Sequence, residues 1–422
     1  MKNTKRQSIL KPMTRDSTLA KKIEFAALGA FQTGSGTPRK RIGTGMLGYA
    51  FMGKAHTNAF LRFPLFFPDS PIPRLVAIAG RSESNVKDAA TNFGYERFYT
   101  NWLKLVKDPD IQVVDNGLPN DLHEKPCVTA AELGKDIVCE KPLGRNPRES
   151  EEMLRAVTKA GVKHMVGFNY RFIPAIRLAR QLIEEGYIGK VLEFRAAYLQ
   201  DWIMDPNFPL VWRLRKSLAG SGVLGDLGTH ILDLGRFLVG EIESTIGLTK
   251  TFIKERPLPP SDVTGEKKRG KVDVDDVFIA LLKFKSGAIG SAEASRFCAG
   301  RKNYQRIEVH GSEGSLSFNL ERLNELDAYV NSDGEDRRGF KTISVTAPVH
   351  PFGKNWWPTG HVLGWEHPMV HEMYHFFTAV AEDRPIEPWG ATFRDGLMAD
   401  RITDAISKST MSGKWESIIS TP

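Results

Sequence analysis

Cysteine is scarce in this sequence, with three residues among 422. Cys127, Cys139 and Cys298 are widely spaced and form no C-x-x-C motif, which argues against a disulfide framework and a thiolate zinc site. Long apolar runs are missing as well, because the longest near the N-terminus, residues 25–31, has seven residues, whereas a membrane span needs about 18. We therefore expect a cytoplasmic protein that does not enter a membrane.

Excess positive charge is also missing from most of the chain. Its formal net charge is +8, but residues 1–40 carry nine Lys or Arg against two acidic residues, a net +7, which leaves +1 for the rest. A nearly neutral body does not provide the basic face that binds DNA or RNA, so we expect no nucleic-acid partner. Residues 1–40 are polar and irregular. We interpret them as a disordered extension, with a targeting segment or a binding arm as alternatives.

The remaining residues suffice for two folded domains, since 41% of the chain is hydrophobic and 10% aromatic. Over residues 41–168, short apolar strands alternate with helical stretches, which predicts a doubly wound parallel sheet. From residue 169 onward, strand-like stretches separated by turns predict antiparallel hairpins in a second domain. Residues 254–272, rich in Pro, Lys and Gly, are predicted to form an exposed loop.

A glycine cluster follows the first predicted strand. Gly43, Gly45 and Gly48 formally fit G-x-G-x-x-G but fall within the strand, whereas Gly48-x-Ala50-x-x-Gly53 lies where the strand turns into a helix. Backbone N–H groups and a helix N-terminus at such a turn bind a pyrophosphate. Followed by the alternating strands and helices, the turn predicts a dinucleotide site. Its predicted contacts are Gly48, Ala50, Phe51, Met52 and Gly53.

The end of the second predicted strand bears on the choice of cofactor. An acidic residue there would bind the ribose 2′-hydroxyl of NAD and reject the 2′-phosphate of NADP. This sequence has Gly80, Arg81 and Ser82, and the first acid is Glu83. Arg81 and Ser82 could hold a 2′-phosphate, or Arg81 could stack on adenine. The pattern favours NADP, and the choice between NAD and NADP stays open.

Glu140-Lys141-Pro142 ends the fourth predicted strand, at the carboxyl edge where α/β sheets bind ligands. Pro142 could fix the geometry of Lys141 through a cis or otherwise rigid bond. We interpret Lys141 as a residue that faces the nicotinamide, the alternative being a solvated charge after a strand.

A second polar cluster lies on a predicted helix over residues 223–239. Asp226, His230 and Asp233 are spaced by four and three residues, which places them on one helix face. A histidine held by a carboxylate can accept a hydroxyl proton as hydride leaves the same carbon, and a nearby lysine stabilises the developing alkoxide. An isolated ion pair is the alternative, and the presence of Lys141 favours catalysis.

His371-Glu372-Met-Tyr-His375 spells H-E-x-x-H, with His367 one turn earlier, which is typical of zinc peptidases. No G-x-x-H extension follows, and residues 369–380 also fit an amphipathic packing helix. We therefore expect no metal site.

Several of these motifs together resemble the Gfo/Idh/MocA oxidoreductases from about residue 41 to the C-terminus. They are the glycine turn, Leu118-Pro119-Asn120-Asp-Leu-His123, Glu140-Lys141-Pro142, Asn169-Tyr170-Arg171 and the helix with Asp226, His230 and Asp233. Tyr198-Leu-Gln200-Asp201-Trp202 and Trp212-Arg213 are similar to the levoglucosan dehydrogenase and inositol 2-dehydrogenase branch.

The resemblance implies an N-terminal Rossmann domain over residues 41–168 and a C-terminal α+β domain over residues 169–422. The large, mainly antiparallel sheet of the second domain often mediates homo-oligomers, so a dimer or tetramer is expected. The implied reaction is hydride transfer from a ring CH–OH of a sugar or cyclitol to NAD or NADP. Oxidation of a glycoside at C3 is an alternative within the family, and a non-catalytic dinucleotide-binding sensor is an alternative of another class.

The resemblance also assigns roles to residues. Lys141 would be the catalytic lysine and His230 the proton acceptor, with Asp226 as the third catalytic position. The residues implied beside the nicotinamide ribose are Asn120, His123 and Glu140, and Pro119 and Lys141 are further implied cofactor contacts. The implied substrate contacts are Lys141, Arg171, Gln200, Trp202, Trp212, Asp226 and His230.

Overall fold

The computed structural model describes residues 34–259 and 268–419. The predicted N-terminal extension therefore lies mostly outside the described residues, and positions 34–40 are coil. Within the described ranges, no helix combines the length and apolar character that crossing a membrane requires.

In the described part of the chain, the first sheet has six strands, all parallel and in the order β3-β2-β1-β4-β5-β6. The strands are β1 (Arg41–Leu47), β2 (Ile72–Ala79), β3 (Arg97–Tyr99), β4 (Val113–Asn116), β5 (Asp136–Cys139) and β6 (His164–Val166). Chain direction across the sheet reverses between β1 and β4, and ligands bind at such a switch point in α/β folds. The predicted doubly wound sheet is confirmed.

Helices cover both faces of this sheet. They are α1 (Phe51–Phe66), α2 (Glu83–Phe93), α3 (Trp102–Val106), α4 (Glu124–Glu132) and α5 (Pro147–Ala160). The boundaries of α5 follow from its end residues. The side chain of Asn146 accepts a hydrogen bond from Glu149 N, Pro147 occupies the first turn, and Gly161 adopts the left-handed conformation at the end.

Three helices lead into the second domain, namely α6 (Pro174–Glu184), α7 (Lys216–Ala219) and α8 (Thr229–Val239). The predicted continuous helix over residues 223–239 differs at its start, because Leu224–Gly228 form a π-helical turn. This turn lies tightly against the second sheet, since a Cβ added to Gly228 would lie 2.7 Å from the Phe278 ring. Such turns widen the helix locally and often occur at functional sites.

Among the described residues, the second sheet has nine strands in the order β16-β15-β14-β13-β7-β12-β11-β8-β17. The pair β7 and β12 is parallel, and the other neighbours are antiparallel. Its longer strands are β7 (Val191–Leu199), β8 (Ile242–Lys250), β11 (Val277–Phe284), β12 (Ile289–Ser295) and β13 (Tyr304–Gly311). The shorter ones are β14 (Gly314–Asn319), β15 (Glu325–Val330), β16 (Lys341–Ser344) and β17 (Glu416–Ser417). The predicted large, mainly antiparallel sheet is confirmed.

The prediction of a loop over residues 254–272 is wrong at two short strands, whereas the predicted exposure holds for Lys254, Glu255, Lys268, Arg269 and Lys271. Strands β9 (Glu255–Pro257) and β10 (Arg269–Lys271) pair there as an antiparallel ribbon. The physical reason is Arg256, a fully buried side chain whose guanidinium donates to the backbone carbonyls of Ile203 and Asp205. These bonds fix the ribbon against the segment that follows β7.

Two C-terminal helices complete the fold, α9 (His367–Glu382) and α10 (Phe393–Ser412). Although α9 belongs to the second half of the chain, it packs against α1 of the first domain. The Phe377 ring lies 5.5 Å from the rings of both Phe60 and Phe63. This shared core fixes the first sheet relative to the second domain, and the site lies between them.

Candidate active site

A cavity of about 680 Å³ lies between the carboxyl edge of the first sheet and the second domain. Most of the predicted site residues line it. From the first domain these are Ala50, Phe51, Met52, Pro119, Asn120, Glu140 and Lys141, and from the second Gln200, Trp202, Trp212, Asp226 and His230. The volume falls in the range that small-molecule sites occupy.

The glycine turn at one end of the cavity has the geometry that a pyrophosphate requires. Strand β1 ends at Leu47, and Gly48 has a φ of +98°, a conformation that side chains disfavour. A Cβ at Gly53 would lie 2.1 Å from Gly48 O, so α1 can approach the strand only because position 53 has no side chain. Helix α1 has no side-chain cap and no acid in its first turn, which suits an anion. The residues therefore fit the predicted dinucleotide.

Lys141 follows β5, and its bond to Pro142 is cis. Its Nζ donates to two oxygens of Asp226, the backbone carbonyl at 2.9 Å and carboxylate Oδ1 at 3.2 Å. Lys141 is thus held toward the second domain, with its ammonium group at the cavity wall, where it can donate to a bound hydroxyl.

Asp226 lies in the π-helical turn and is held by two cations. Its second carboxylate oxygen, Oδ2, accepts from Arg296 Nη2 at 2.9 Å. Burial alone would raise the pKa of Asp226, but Lys141, Arg296 and Arg213 outweigh burial and lower it. The expected pair between Asp226 and His230 is not formed, because the wider turn directs the carboxylate to Lys141 and Arg296.

His230 lies in the first turn of α8, with its ring 4.6 Å from the ring of Tyr170 and 6.1 Å from that of Tyr198. Its Nδ1 is buried and has no hydrogen-bond partner within the described residues. Burial and the nearby Lys141 ammonium lower the pKa of His230 well below its ordinary value. The imidazole is therefore neutral at physiological pH and can accept a proton.

A chain of hydrogen bonds crosses the floor of the cavity. The hydroxyls of Tyr170 and Tyr198 lie 2.8 Å apart, and Asn303 Oδ1 accepts from both Tyr198 Oη and Gln200 Nε2 at 2.8 Å. Among residues 34–259 and 268–419, no hydrogen bond is formed by the amide oxygen of Gln200, which lines the cavity and can accept from a ligand hydroxyl.

Two tryptophans from the second domain provide the apolar part of the wall. The Trp202 ring packs edge-on against Phe208, and the guanidinium of Arg296 lies 5.6 Å from its centre. Trp212 lies under the guanidinium of Arg213 at 4.3 Å. Aromatic faces fixed in this way suit the C–H surface of a sugar ring.

The structure contradicts the predicted substrate contact of Arg171. Its guanidinium is buried and bound by both carboxylate oxygens of Asp233, at 2.7 and 2.5 Å, so it cannot reach the cavity. Asp233 is thereby used for packing α8 rather than for orienting His230.

Two predicted cofactor contacts have other partners, and a third lies outside the cavity wall. His123 is fully buried, and its ring nitrogens bond the backbone carbonyls of Pro142, Leu143 and Leu118, so its side chain does not line the cavity. The Ser82 hydroxyl caps α2 by accepting from Asn85 N, and Arg81 is exposed beside it, outside the cavity wall.

The H-E-x-x-H motif lies on α9, where each histidine has a structural partner. His371 Nε2 accepts from Trp356 Nε1 at 2.6 Å and its Nδ1 bonds Phe172 O, while His375 Nε2 bonds Ile386 O at 2.7 Å. Among residues 34–259 and 268–419, no group of three or more His, Cys, Asp or Glu side chains could hold a metal ion.

Comparison with known proteins assigns both domains. Residues 42–168 match the oxidoreductase family with an NAD-binding Rossmann fold, and residues 176–317 match the GFO/IDH/MocA C-terminal domain. This chain belongs to the Gfo/Idh/MocA oxidoreductases.

The chain aligns with nearly the whole length of two relatives in the Gfo/Idh/MocA family. Levoglucosan dehydrogenase of Pseudarthrobacter phenanthrenivorans is 44% identical over 385 residues, which are 89% of this chain and 98% of that protein. Inositol 2-dehydrogenase of Rhizobium meliloti is 27% identical over 377 residues, with the same coverage of 89% and 98%. A solved levoglucosan dehydrogenase in complex with NADH and levoglucosan is 43% identical, with a TM-score of 0.86 and coverage of 90% of this chain and all of that one. The predicted family, fold class and NAD(P)-dependent oxidoreductase function are confirmed.

Sequence reasoning missed several residues of this Gfo/Idh/MocA site. Arg296 lies one position after β12, seventy residues from the Asp226 that it binds. Asn303, in the next loop, and Trp365, ahead of α9, also line the cavity. No local sequence pattern marks these positions. The register of the second sheet brings Arg296 and Asn303 to the site, and the return of the chain to the first domain brings Trp365.

Proposed function

We propose that this protein oxidises a ring hydroxyl of levoglucosan or a closely similar neutral sugar, with a nicotinamide dinucleotide as the hydride acceptor. The observation that carries the proposal is the convergence of Lys141, Asp226 and His230 on one cavity wall, between the glycine turn and the two tryptophans. The name of the relative at 44% identity and the NADH–levoglucosan complex of a similar structure support the choice of substrate.

Each catalytic residue has a role that its contacts support. When bound, the oxidised nicotinamide supplies the hydride acceptor. Lys141 Nζ donates to the reacting hydroxyl oxygen and stabilises the alkoxide that develops as the hydride departs. Neutral His230 accepts the hydroxyl proton. Asp226, held anionic by Lys141 and Arg296, fixes the position of the Lys141 ammonium.

The substrate ring would lie against the tryptophans, with its hydroxyls on the polar floor. Trp202 and Trp212 would contact C–H groups, while Gln200 would accept from a hydroxyl through its amide oxygen. In this pose, a reacting carbinol would lie between Lys141 and the nicotinamide end of the cofactor.

The dinucleotide would be held by the glycine turn and the adjacent loops. The N–H groups at the start of α1 would bind the pyrophosphate, and Pro119, Asn120 and Glu140 would lie beside the nicotinamide ribose. Arg81 and Ser82 would lie toward the adenosine end, where they decide between NAD and NADP.

The test is the formation of reduced nicotinamide by the purified protein, with NAD and NADP offered separately. The panel is levoglucosan, myo-inositol, glucose and aryl glucosides. We expect turnover with levoglucosan that is lost in Lys141→Ala and kept in Lys159→Ala, a surface lysine on α5. Turnover with aryl glucosides alone would favour glycoside oxidation, and cofactor binding without turnover on any sugar would favour a sensor.

We also propose that two copies of the chain associate through the open face of the second sheet. Leu248, Ile279, Leu281 and Ile289 project from neighbouring strands on that face and are 50–58% exposed. An apolar surface of this kind marks an interface. Light scattering should give a dimer or larger assembly for the wild type and a smaller species for Leu281→Lys, while a monomeric wild type would contradict the proposal.

A cytoplasmic location is the third part of the proposal. It is supported by Cys127, Cys139 and Cys298, all of which are free thiols, as is usual in a reducing compartment. Cell fractionation with an antibody against the protein tests it.

A further inference from the structure

A fully buried histidine bridges two carboxylates directly behind the cavity wall. His56 lies on α1, with Nδ1 2.7 Å from Asp115 Oδ2 and Nε2 3.0 Å from Glu140 Oε1. Asp115 ends β4 together with Asn116, and Glu140 follows β5. We call Asp115, His56 and Glu140 the Glu140 triad, because Glu140 is the member that lines the cavity.

The contacts define the protonation of the Glu140 triad. A neutral imidazole has one N–H, whereas both ring nitrogens of His56 face carboxylate oxygens. Burial alone would lower the pKa of His56, but Asp115 and Glu140 outweigh burial and raise it well above the ordinary value. Burial would raise the pKa of Glu140, but His56, Lys141 and His123 outweigh it. Burial also raises the pKa of Asp115, and His56 offsets only part of that effect. Because each ring nitrogen of His56 faces one carboxylate oxygen, the two hydrogen bonds hold two protons among one imidazole and two carboxylates, so the triad carries a net charge of −1 with His56 as the imidazolium.

This negative charge lies at the part of the cavity wall that would hold the reactive end of the cofactor, because Glu140 and Lys141 line the same cavity. Glu140 Oε2 accepts from the backbone N–H of Lys141 at 3.1 Å, so the carboxylate is fixed next to the catalytic lysine. The hydride acceptor has to reach the carbon whose hydroxyl Lys141 binds. Asp226, the other anion of the wall, is paired with two cations, Lys141 and Arg296, so it adds no net negative charge there.

We propose that the Glu140 triad is an electrostatic selector that makes the site bind the oxidised cofactor more tightly than the reduced one. The oxidised nicotinamide ring carries one positive charge, and the reduced ring carries none. A fixed anion beside the ring stabilises only the charged form. His56 is the positioning residue, because it holds the Glu140 carboxylate in place and ionised. The inference rests on cofactor binding and is independent of which sugar is oxidised.

A natural control lies next to the Glu140 triad. Glu372 on α9 is fully buried, and in the described part of the chain neither of its carboxylate oxygens has a hydrogen-bond partner. Burial raises the pKa of Glu372 well above its ordinary value, since the nearby Glu140 and Asp115 add to the effect of burial and His56 opposes it. Glu372 is thus uncharged at neutral pH, and its replacement by Gln leaves the charge of the region unchanged.

The experiment measures dissociation constants for the oxidised and reduced cofactor in the absence of sugar, by titration calorimetry or nicotinamide fluorescence. We expect Glu140→Gln to shift the ratio of the two constants by about tenfold toward the reduced form, as the loss of one unit charge a few ångströms away in a partly polar medium implies. Glu140→Asp, which keeps the charge, and Glu372→Gln should keep the wild-type ratio. A merely structural role for Glu140 would instead weaken both constants by the same factor, which would overturn the proposal.

His56→Gln tests the positioning role through the pH dependence of the same ratio. The groups that face Glu140 are His56 on α1, Asp115 on β4, Lys141 and His123 beside it, and Glu372 on α9. Without the imidazolium, the pKa of Glu140 rises, and so does that of Asp115, which burial already raises. The ratio of His56→Gln should therefore approach that of Glu140→Gln as the pH falls from 9 to 6, about the range in which a raised carboxyl titrates. The wild-type ratio should stay constant over this range.

The outcomes separate this inference from the proposed function. A ratio in His56→Gln that does not change with pH would remove His56 from the selector. An unchanged ratio in Glu140→Gln, with sugar oxidation intact in the wild type, would overturn the selector alone. If Glu140→Gln does not fold, Glu140→Asp and His56→Gln at low pH decide the same question. A wild type that binds neither form of the cofactor would overturn both conclusions.

Discussion

Lys141 and Asp226 are joined by two hydrogen bonds, from Nζ to the carbonyl oxygen at 2.9 Å and to carboxylate Oδ1 at 3.2 Å. The pair connects the edge of the first sheet to the π-helical turn of the second domain. Catalysis in this account depends on that connection, since it places the ammonium group of Lys141 where the reacting hydroxyl must bind.

Removing the ammonium group should abolish turnover without emptying the cofactor site. We expect Lys141→Met to lower kcat by about a thousandfold or more, because the alkoxide loses its stabilising charge. The dissociation constant for the cofactor should change little. Steady-state kinetics and a cofactor titration on the same preparation check this, with Lys159→Met on the surface of α5 as the control. Near-normal turnover in Lys141→Met would contradict the assignment.

The neutral state of His230 predicts the pH profile. Burial and Lys141 lower the pKa of His230, so the base remains unprotonated well below the pH at which an ordinary histidine titrates, about 6.5. In the oxidation direction, kcat/KM should therefore show no loss from His230 between pH 8 and about 6.5. His230→Asn should reduce kcat by about a hundredfold or more. A fall in kcat/KM at low pH, centred near the ordinary histidine pKa and absent in His230→Asn, would contradict a lowered pKa for His230.

Arg81 should decide between the two dinucleotides. Its side chain lies outside the described cavity wall, at the end of β2, where the ribose of the adenosine would bind. We expect Arg81→Ala to raise the KM for NADP by about fivefold or more, because a cation beside the 2′-phosphate is lost, and to leave the KM for NAD nearly unchanged. Lys87→Ala on α2 is the control. Equal effects on both cofactors would indicate that Arg81 only stacks on adenine.

A buried carboxyl on α10 should make stability depend on pH. Asp400 accepts from Ser150 Oγ at 2.5 Å and Gly144 N at 3.0 Å, and burial raises its pKa to about 7. Asp400 therefore keeps its proton up to about pH 7 in the folded state, whereas in the unfolded state it loses the proton at about pH 4. The contribution of Asp400 to stability is fully present below that pH and is lost as the pH rises to about 7.

Asp400→Asn, which is permanently neutral, should therefore raise Tm by a few degrees at pH 8 and by much less at pH 5. Asp404→Asn, a partly exposed position on the same helix, should show no such difference between the two pH values. Thermal unfolding of the three proteins at both pH values measures this. A gain that is equal at pH 5 and pH 8 would mean that Asp400 is ionised in the folded state.

The sequence made some elements predictable because their physical cause is local. Strand β1, the glycine turn and α1 follow one another as the motif around Gly48 and Gly53 predicts. Lys141 lies just after β5, at the carboxyl edge of the sheet, as the sequence also predicts. The large antiparallel sheet could be inferred from alternation such as that of β11, in which every second residue is buried.

Other parts depend on contacts that spacing does not encode. Asp226 and His230 have helical spacing, yet the π-helical turn gives the carboxylate to Lys141 instead. Arg171 carries a charge suited to a substrate, but Asp233 binds it in the core. His56 carries no motif at all, and only the packing of α1 against β4 and β5 reveals its two carboxylate partners.

Deuterium transfer tests the central claim most directly. Levoglucosan deuterated at its ring carbinol carbons is incubated with the protein and the oxidised cofactor, and the reduced cofactor is analysed by mass spectrometry. Hydride transfer at this site predicts one deuterium in the reduced nicotinamide ring with the wild type and no reduced cofactor with Lys141→Met. Reduced cofactor without deuterium, or equal transfer by both proteins, would contradict hydride transfer at the site formed by Lys141, Asp226 and His230.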